Sequence, residues 1–250
     1  MIRTLFVYAF LGLGIVLVLP WVVLWTVITG NPDPMYYMSM NACAFALRLI
    51  GIRVHVEGTE NIPPGVCVFA SNHASNLDPL VYFPAIPRRI SVLIKKELLS
   101  IPILSAGMRA AKFVAVDRGD REAAAASVDQ AVRYLHEGLS FAVFAEGTRS
   151  PDGRMRPFKK GAVLMAIQAG VPLVPVSIAG TQHLMRKGGS KINAGDVTVR
   201  FDPPIDASRF SGERRSELLA QLESAVAAGL PPDQRPILQP TQKDGPAASM

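Results

Sequence analysis

Two patterns of apolar residues divide the chain. From Thr4 to Pro32, "TLFVYAFLGLGIVLVLPWVVLWTVITGNP", 29 consecutive positions carry no charge. A membrane-spanning helix needs about 20 apolar residues and a signal-peptide core is shorter, so the run reads as a retained membrane anchor. Pro20 lies in its middle. It lacks an N–H and its ring crowds the preceding turn, so it is expected to kink or break the helix. A full span and a re-entrant hairpin are both open. Trp21, Trp25, Tyr36 and Tyr37 are placed to meet a membrane–water interface. A second, shorter apolar helix is expected over 35–50, lying in the interface plane, with Gly51 as its stop.

From Ile52 onward the pattern changes. Short apolar runs predict strands at 53–57, 66–70, 91–94, 113–116, 141–145, 173–178 and 197–201. Helices are predicted between and after them, at 79–85, 97–111, 121–137, 160–169 and 212–228. Most of the strand runs are continuously apolar, which suits strands covered on both faces. The alternation implies an α/β fold, a mixed, mostly parallel sheet flanked by helices, behind an N-terminal membrane-anchoring helical segment. Three parts are expected: an anchor over 1–50, a folded domain over 51–230 and a tail over 231–250. The tail is Pro-rich and polar; it carries too little apolar surface to order itself and is expected to be flexible.

Charge narrows the partners. The chain carries a net +6. Between Arg88 and Lys160 there are 14 Lys and Arg against 8 Asp and Glu, and the rest of the chain balances at 12 of each. A local basic field points to an anionic partner. Nucleic acid fits poorly, since the basic stretch has no interleaved aromatics and no nucleic-acid motif. The two cysteines, Cys43 and Cys67, make no disulfide framework. No His, Cys and carboxylate residues fall at metal-ligand spacing, so no metal site is expected.

Polar clusters follow three apolar strands: "SNHASNLDP" after "VCVFA", "DRGD" after "KFVAV", and "EGTRS" after "SFAVFA". Sites in α/β folds gather at such strand ends. His73 lies in the first loop with Asp78 five residues on. A carboxylate on one imidazole nitrogen fixes the tautomer and frees the other nitrogen as a base. Asp78-Pro79 also reads as a helix cap followed by a first-turn proline, and both readings hold together. A hydrolase triad would need a G-x-S-x-G elbow, which is absent. In "EGTRS", Gly147 lets backbone approach a ligand and Arg149 offers a fork suited to phosphate. Glu146 would orient Arg149 or bind a hydroxyl; alternatively the loop is a polar turn with an internal Glu–Arg pair. Asp117 and Arg118 read as a structural pair or as part of an anion site. Lys95, Lys96 and Lys112 read mainly as solvated cations.

Four segments in order resemble the motifs of the glycerolipid acyltransferase family, typified by 1-acylglycerol-3-phosphate acyltransferases. They are "NHASNLD", "VAVDR", "FAEGTRS" and "VPLVPV", and the resemblance runs from about Gly58 to Gly180. Ala145 replaces the usual Pro before the Glu, and Lys112 stands where a small residue is common. The resemblance implies that 51–230 is an acyltransferase domain, with His73 as general base and Asp78 orienting it. It implies an acceptor-phosphate site from Glu146, Gly147, Thr148 and Arg149, with Arg118 as a further candidate. Val171 and Pro172 would help shape an acyl channel. The implied reaction uses acyl-CoA or acyl carrier protein as co-substrate and no cofactor. It moves an acyl group to the sn-2 hydroxyl of lysophosphatidic acid, giving phosphatidic acid. Another acceptor (glycerol 3-phosphate, a different lysophospholipid or a lyso-aminolipid) and a non-catalytic membrane-anchored lipid-binding protein are the competing readings. Such donors are cytosolic, so the expected location is the membrane, with the catalytic domain on its cytoplasmic face.

Overall fold

The computed structural model describes residues 2–117, 119–189 and 191–237. Seven strands form one sheet: β1 Ile52–Glu57, β2 Val68–Ser71, β3 Ile90–Lys95, β4 Val114–Val116, β5 Ser140–Phe144, β6 Leu173–Ala179 and β7 Gly195–Phe201. Their spatial order is β1-β7-β6-β2-β5-β3-β4. Every pairing is parallel except β6 with β7. The expected α/β sheet is therefore present, and β2 lies between β6 and β5, with β3 beyond β5.

The helices after the sheet begins are α4 Asp78–Ala85, α5 Pro102–Ala110, α6 Arg121–His136, α7 Gly161–Ala169, α8 Thr181–Leu184 and α9 Arg215–Gly229. The helix expected over 97–111 is split. Ile101 is extended, as a residue before proline prefers, and Pro102 starts α5 after a 3-10 turn, Lys96–Ser100. Alternating side chains send the sheet's two faces into two cores. Phe69, Val174, Val176 and Val199 pack on the side of Leu47, Val81 and Tyr82. Val68, Ala70, Phe141 and Val143 pack on the side of Val163, Leu218 and Val226. Burial on both faces explains why β2 has no exposed position.

Three helices precede the sheet: α1 Ile2–Leu17, α2 Leu19–Thr29 and α3 Asp33–Leu49. The long apolar run breaks at Val18, with Pro20 in the first turn of α2. The break leaves lengths of 16 and 11 residues, or about 24 and 16 Å against a hydrocarbon core of ~30 Å. Among the described residues no helix is long and apolar enough to cross a membrane. The α1–α3 surface is nonetheless apolar, with Leu5, Leu13, Trp21, Trp25, Val27 and Ile28 exposed.

The tail departs from expectation at its start. Gln234 is buried. Its backbone O accepts from Met155 N at 2.8 Å, and its side-chain O accepts from Gly180 N at 3.0 Å. Backbone partners supplied by the 150–156 loop and the end of β6 hold this segment, which apolar content alone would not. The rest of the expected flexible tail, 238–250, lies outside the described residues.

Gly180 turns the chain from β6 into α8 with φ 96°. A Cβ there would sit 2.7 Å from the Asp196 carbonyl oxygen. Gly180→Ala is expected to cost about 2 kcal/mol, lowering Tm by roughly 4–8 °C in a chain of this size. Thermal unfolding of the two proteins checks this; an unchanged Tm would show that the turn relaxes freely.

Candidate active site

β2, β5 and β6 run parallel and end side by side, so the loops that follow them meet at one edge of the sheet. The loop after β2 carries His73. Asp78 opens α4, and Pro79 fits the first turn because it needs no N–H there. The turn between them brings His73 Nδ1 to 2.8 Å from Asp78 Oδ2. The same oxygen accepts from the N–H groups of Ala74 at 2.7 Å and Ser75 at 2.8 Å. Asp78 thus caps the turn and holds the imidazole at once. Its side chain is 1% exposed, and that of His73 is 15% exposed.

The hydrogen bond to a carboxylate places the proton on Nδ1 and leaves a lone pair on Nε2. Among the described residues no group pairs with Nε2. Phe144, at the end of β5, stacks on the imidazole with ring centroids 4.0 Å apart and planes 16° apart. That contact covers one face of the ring and fixes its plane.

The loop after β5 braces the histidine's backbone. Ala145 N donates to Ser71 O at 2.8 Å, and Ser150 N donates to His73 O at 2.8 Å. Glu146 is buried and turns inward, accepting from His73 N at 2.8 Å. Among the described residues no Glu146–Arg149 ion pair is formed. The hydrogen bond that Glu146 accepts from the His73 N–H offsets part of the cost of burying the carboxyl under the His73 loop. Gly147 follows with φ 72°, and a Cβ there would crowd the Lys159 side chain. Thr148 is exposed and Arg149 half-buried. The Arg149 carbonyl accepts from Lys187 Nζ at 2.7 Å. Among the described residues its guanidinium makes no hydrogen bond or ion pair, so the fork remains open to an anion.

The third loop follows β4. β4 is two strands from β5 at the sheet's edge. Asp117 pairs with Lys96 and accepts from Gly119 N. Arg118 lies outside the described residues. Lys95 pairs with Glu97 at 3.0 Å. Lys112 pairs with Glu137 at 2.5 Å and lies over the Tyr134 ring, away from the histidine loop.

Val171 and Pro172 lie away from this edge. They enter β6 at its opposite end, where Val68 N donates to Pro172 O. Since Leu173 is level with Val68, Pro172 lies about four strand residues, or ~13 Å, before the level of Ser71. Val171 packs into the core beside α7. Strand direction therefore places Val171 and Pro172 at the end of β6 remote from His73.

Three residues not singled out from the sequence complete the site. Thr181 Oγ1 donates to Asp78 Oδ1 at 2.5 Å. Asn72 bridges to β6, donating to Ile178 O at 2.9 Å and accepting from Ile178 N at 2.8 Å. Phe144 stacks as described. A signal for the first existed: "GTQH" follows the apolar run "VPLVPVSIA", the same strand-then-polar pattern that marked the other loops.

Burial raises the Glu146 carboxyl to about 7, and the nearby Asp78 charge adds to the rise. The N–H groups of His73 and Arg156 and the Arg156 charge oppose it. The folded chain therefore keeps this proton where the unfolded chain has lost it, and stability falls as pH rises from the ordinary value of 4.5 to about 7. Glu146→Gln keeps an oxygen for His73 N–H and removes the ionisation. Its Tm relative to the parent is expected to improve between about pH 5 and about pH 8. Thermal unfolding across that range checks this; a pH-independent difference would mean that Glu146 ionises as it does in water.

Comparison with known proteins matches residues 53–179 to the family described as Acyltransferase. A 1-acyl-sn-glycerol-3-phosphate acyltransferase of Limnanthes alba is 32% identical over 227 residues, 90% of this chain and 78% of that one. Its namesake from Pseudomonas aeruginosa is 30% identical over 212 residues, 82% of each chain. The crystal structure of the 1-acyl-sn-glycerophosphate (LPA) acyltransferase PlsC from Thermotoga maritima superposes with a TM-score of 0.79 at 30% identity, covering 91% of this chain and 93% of that one. A fold, an ordered set of motifs and relatives matched over most of their length agree: the chain belongs to the glycerolipid acyltransferase family typified by the 1-acyl-sn-glycerol-3-phosphate acyltransferases, and is an O-acyltransferase.

Proposed function

We propose that this chain transfers a fatty acyl group from acyl-CoA or acyl carrier protein to the sn-2 hydroxyl of lysophosphatidic acid, giving phosphatidic acid. The observation that carries the reading is the His73–Asp78 pair, with Nδ1 held at 2.8 Å by a buried carboxylate and Nε2 unpartnered. In the step, Nε2 takes the acceptor's hydroxyl proton as the oxygen attacks the thioester carbonyl. The tetrahedral species collapses with loss of the thiolate. A thiolate is a good leaving group, so the step needs no strong general acid, no acyl-enzyme and no cofactor. Arg149, with Gly147 and Thr148 beside it, receives the acceptor phosphate. Glu146 supports the His73 loop from below instead of touching the phosphate. The names of the relatives support lysophosphatidic acid as the acceptor.

The chain acts, on this reading, at a membrane with its catalytic domain on the cytoplasmic face, where both donors are found. The broken, apolar-surfaced pair α1 and α2, with Trp21 and Trp25 exposed, seats in the interfacial layer. Nucleic acid has no place in this reading.

Thiol release from acyl-CoA or acyl carrier protein, by the purified chain in vesicles, tests the proposal. Release is expected with lysophosphatidic acid but not with glycerol 3-phosphate or without acceptor. His73→Ala is expected to lower it by about 10²–10⁴-fold, the usual contribution of a positioned base. Acceptor-independent release, or a His73→Ala protein as active as the parent, would overturn the reading.

A further inference from the structure

The mechanism uses one oxygen of Asp78, and the other also has a dedicated partner. Oδ2 is taken up by His73 Nδ1 and by the N–H groups of Ala74 and Ser75. Oδ1 accepts from Thr181 Oγ1 at 2.5 Å. Both Asp78 and Thr181 are buried, so that oxygen is closed off from bulk solvent. A carboxylate can rotate about its bond to Cβ, and that rotation would swing Oδ2 off the imidazole. The Thr181 hydroxyl opposes it from the far side, with a charge-assisted hydrogen bond.

The Thr181 side of this contact is itself fixed. Asn72 locks the His73 loop to Ile178 of β6, its side-chain NH2 donating to the Ile178 carbonyl and its Oδ1 accepting from the Ile178 N–H. Ser75 Oγ donates to Met185 O, just past α8, at 2.7 Å. Gln234 accepts from Gly180 N, immediately before Thr181, at 3.0 Å. The end of β6 and the start of α8 are therefore clamped on both sides of Thr181. Such a clamp suits a hydroxyl that must stay aimed at one oxygen.

We infer that Thr181 is a positioning residue of the acyl transfer: its hydroxyl sets the rotation of the Asp78 carboxylate and, through it, the aim of His73 Nε2 at the acceptor hydroxyl. The inference rests on the proposed role of His73 as base. It concerns only the transferring step, because Thr181 is sealed from both substrates. Its loss changes kcat and leaves KM alone, whereas a substrate-binding residue changes KM.

The test compares the purified full-length parent with Thr181→Val and Thr181→Ser, using acyl-CoA and lysophosphatidic acid in vesicles. Valine keeps the shape and removes the donor, so kcat is expected to fall roughly tenfold or more with KM unchanged. Serine keeps the donor and is expected to restore kcat to within about threefold of the parent. Should the valine variant fail to fold, Thr181→Ala carries the same expectation. A donor-free variant with parental kcat, a rise in KM that accounts for the loss, or a serine variant as impaired as valine would overturn the inference. His73→Ala run alongside separates the two claims. If it is inactive while the donor-free variant has parental kcat, only the role of Thr181 fails. If it is itself active, the base assignment fails, whatever Thr181 does.

Discussion

The site depends on one buried carboxylate. Removing Asp78 from water is costly unless every lone pair it points inward is met. Here four donors meet it: an imidazole, two backbone N–H groups and a threonine hydroxyl. Each donor comes at a structural requirement. The backbone pair needs the tight turn from Ala74 to Asp78. The hydroxyl needs the end of β6 to lie beside the end of β2. The imidazole needs the His73 loop held in register, which Glu146, Ser150 and Asn72 do from two neighbouring elements. Satisfying one charge therefore fixes the histidine's position, plane and tautomer together.

The sheet supplies what the loops cannot. β5, β2 and β6 are adjacent and parallel, so three chain segments far apart in sequence deliver their following loops to one place. The two apolar cores hold these strands from both sides, and the buried strands leave little freedom to slip. Against this rigid platform, and among the described residues, the guanidinium of Arg149 and Nε2 of His73 are open to a ligand. The chemistry is thus carried by loops whose bases are fixed.

Much of this was legible in the sequence, for local reasons. All seven strands appear close to where apolar runs predict them; the central β2, β5 and β6 are nearly continuous apolar blocks buried on both faces. His73 and Asp78 sit five residues apart, within reach of one turn. What was not legible depends on strand order and direction. Thr181 is 103 residues from Asp78, and Ile178 is 106 from Asn72; nothing short-range couples them. The inward turn of Glu146 follows from β5 lying beside β2, a neighbour that the local sequence does not reveal. The "VPLVPV" segment begins at the opposite end of β6 from its catalytic neighbours, which only the parallel register of β6 with β2 reveals. In the long apolar run, hydropathy predicts a membrane anchor with a break near Pro20; the break leaves two short helices, and among the described residues no helix is long and apolar enough to cross a membrane.

The central claim is that Asp78 holds the Nδ1 proton of His73 so that Nε2 is the base. Nitrogen-15 NMR of histidine-labelled protein reads this directly, with the His73 signals assigned by comparison with His73→Gln. In the neutral imidazole the account predicts a protonated Nδ1 and an unprotonated Nε2. A neutral His73 carrying its proton on Nε2 would leave no base aimed at the acceptor, and would contradict the account.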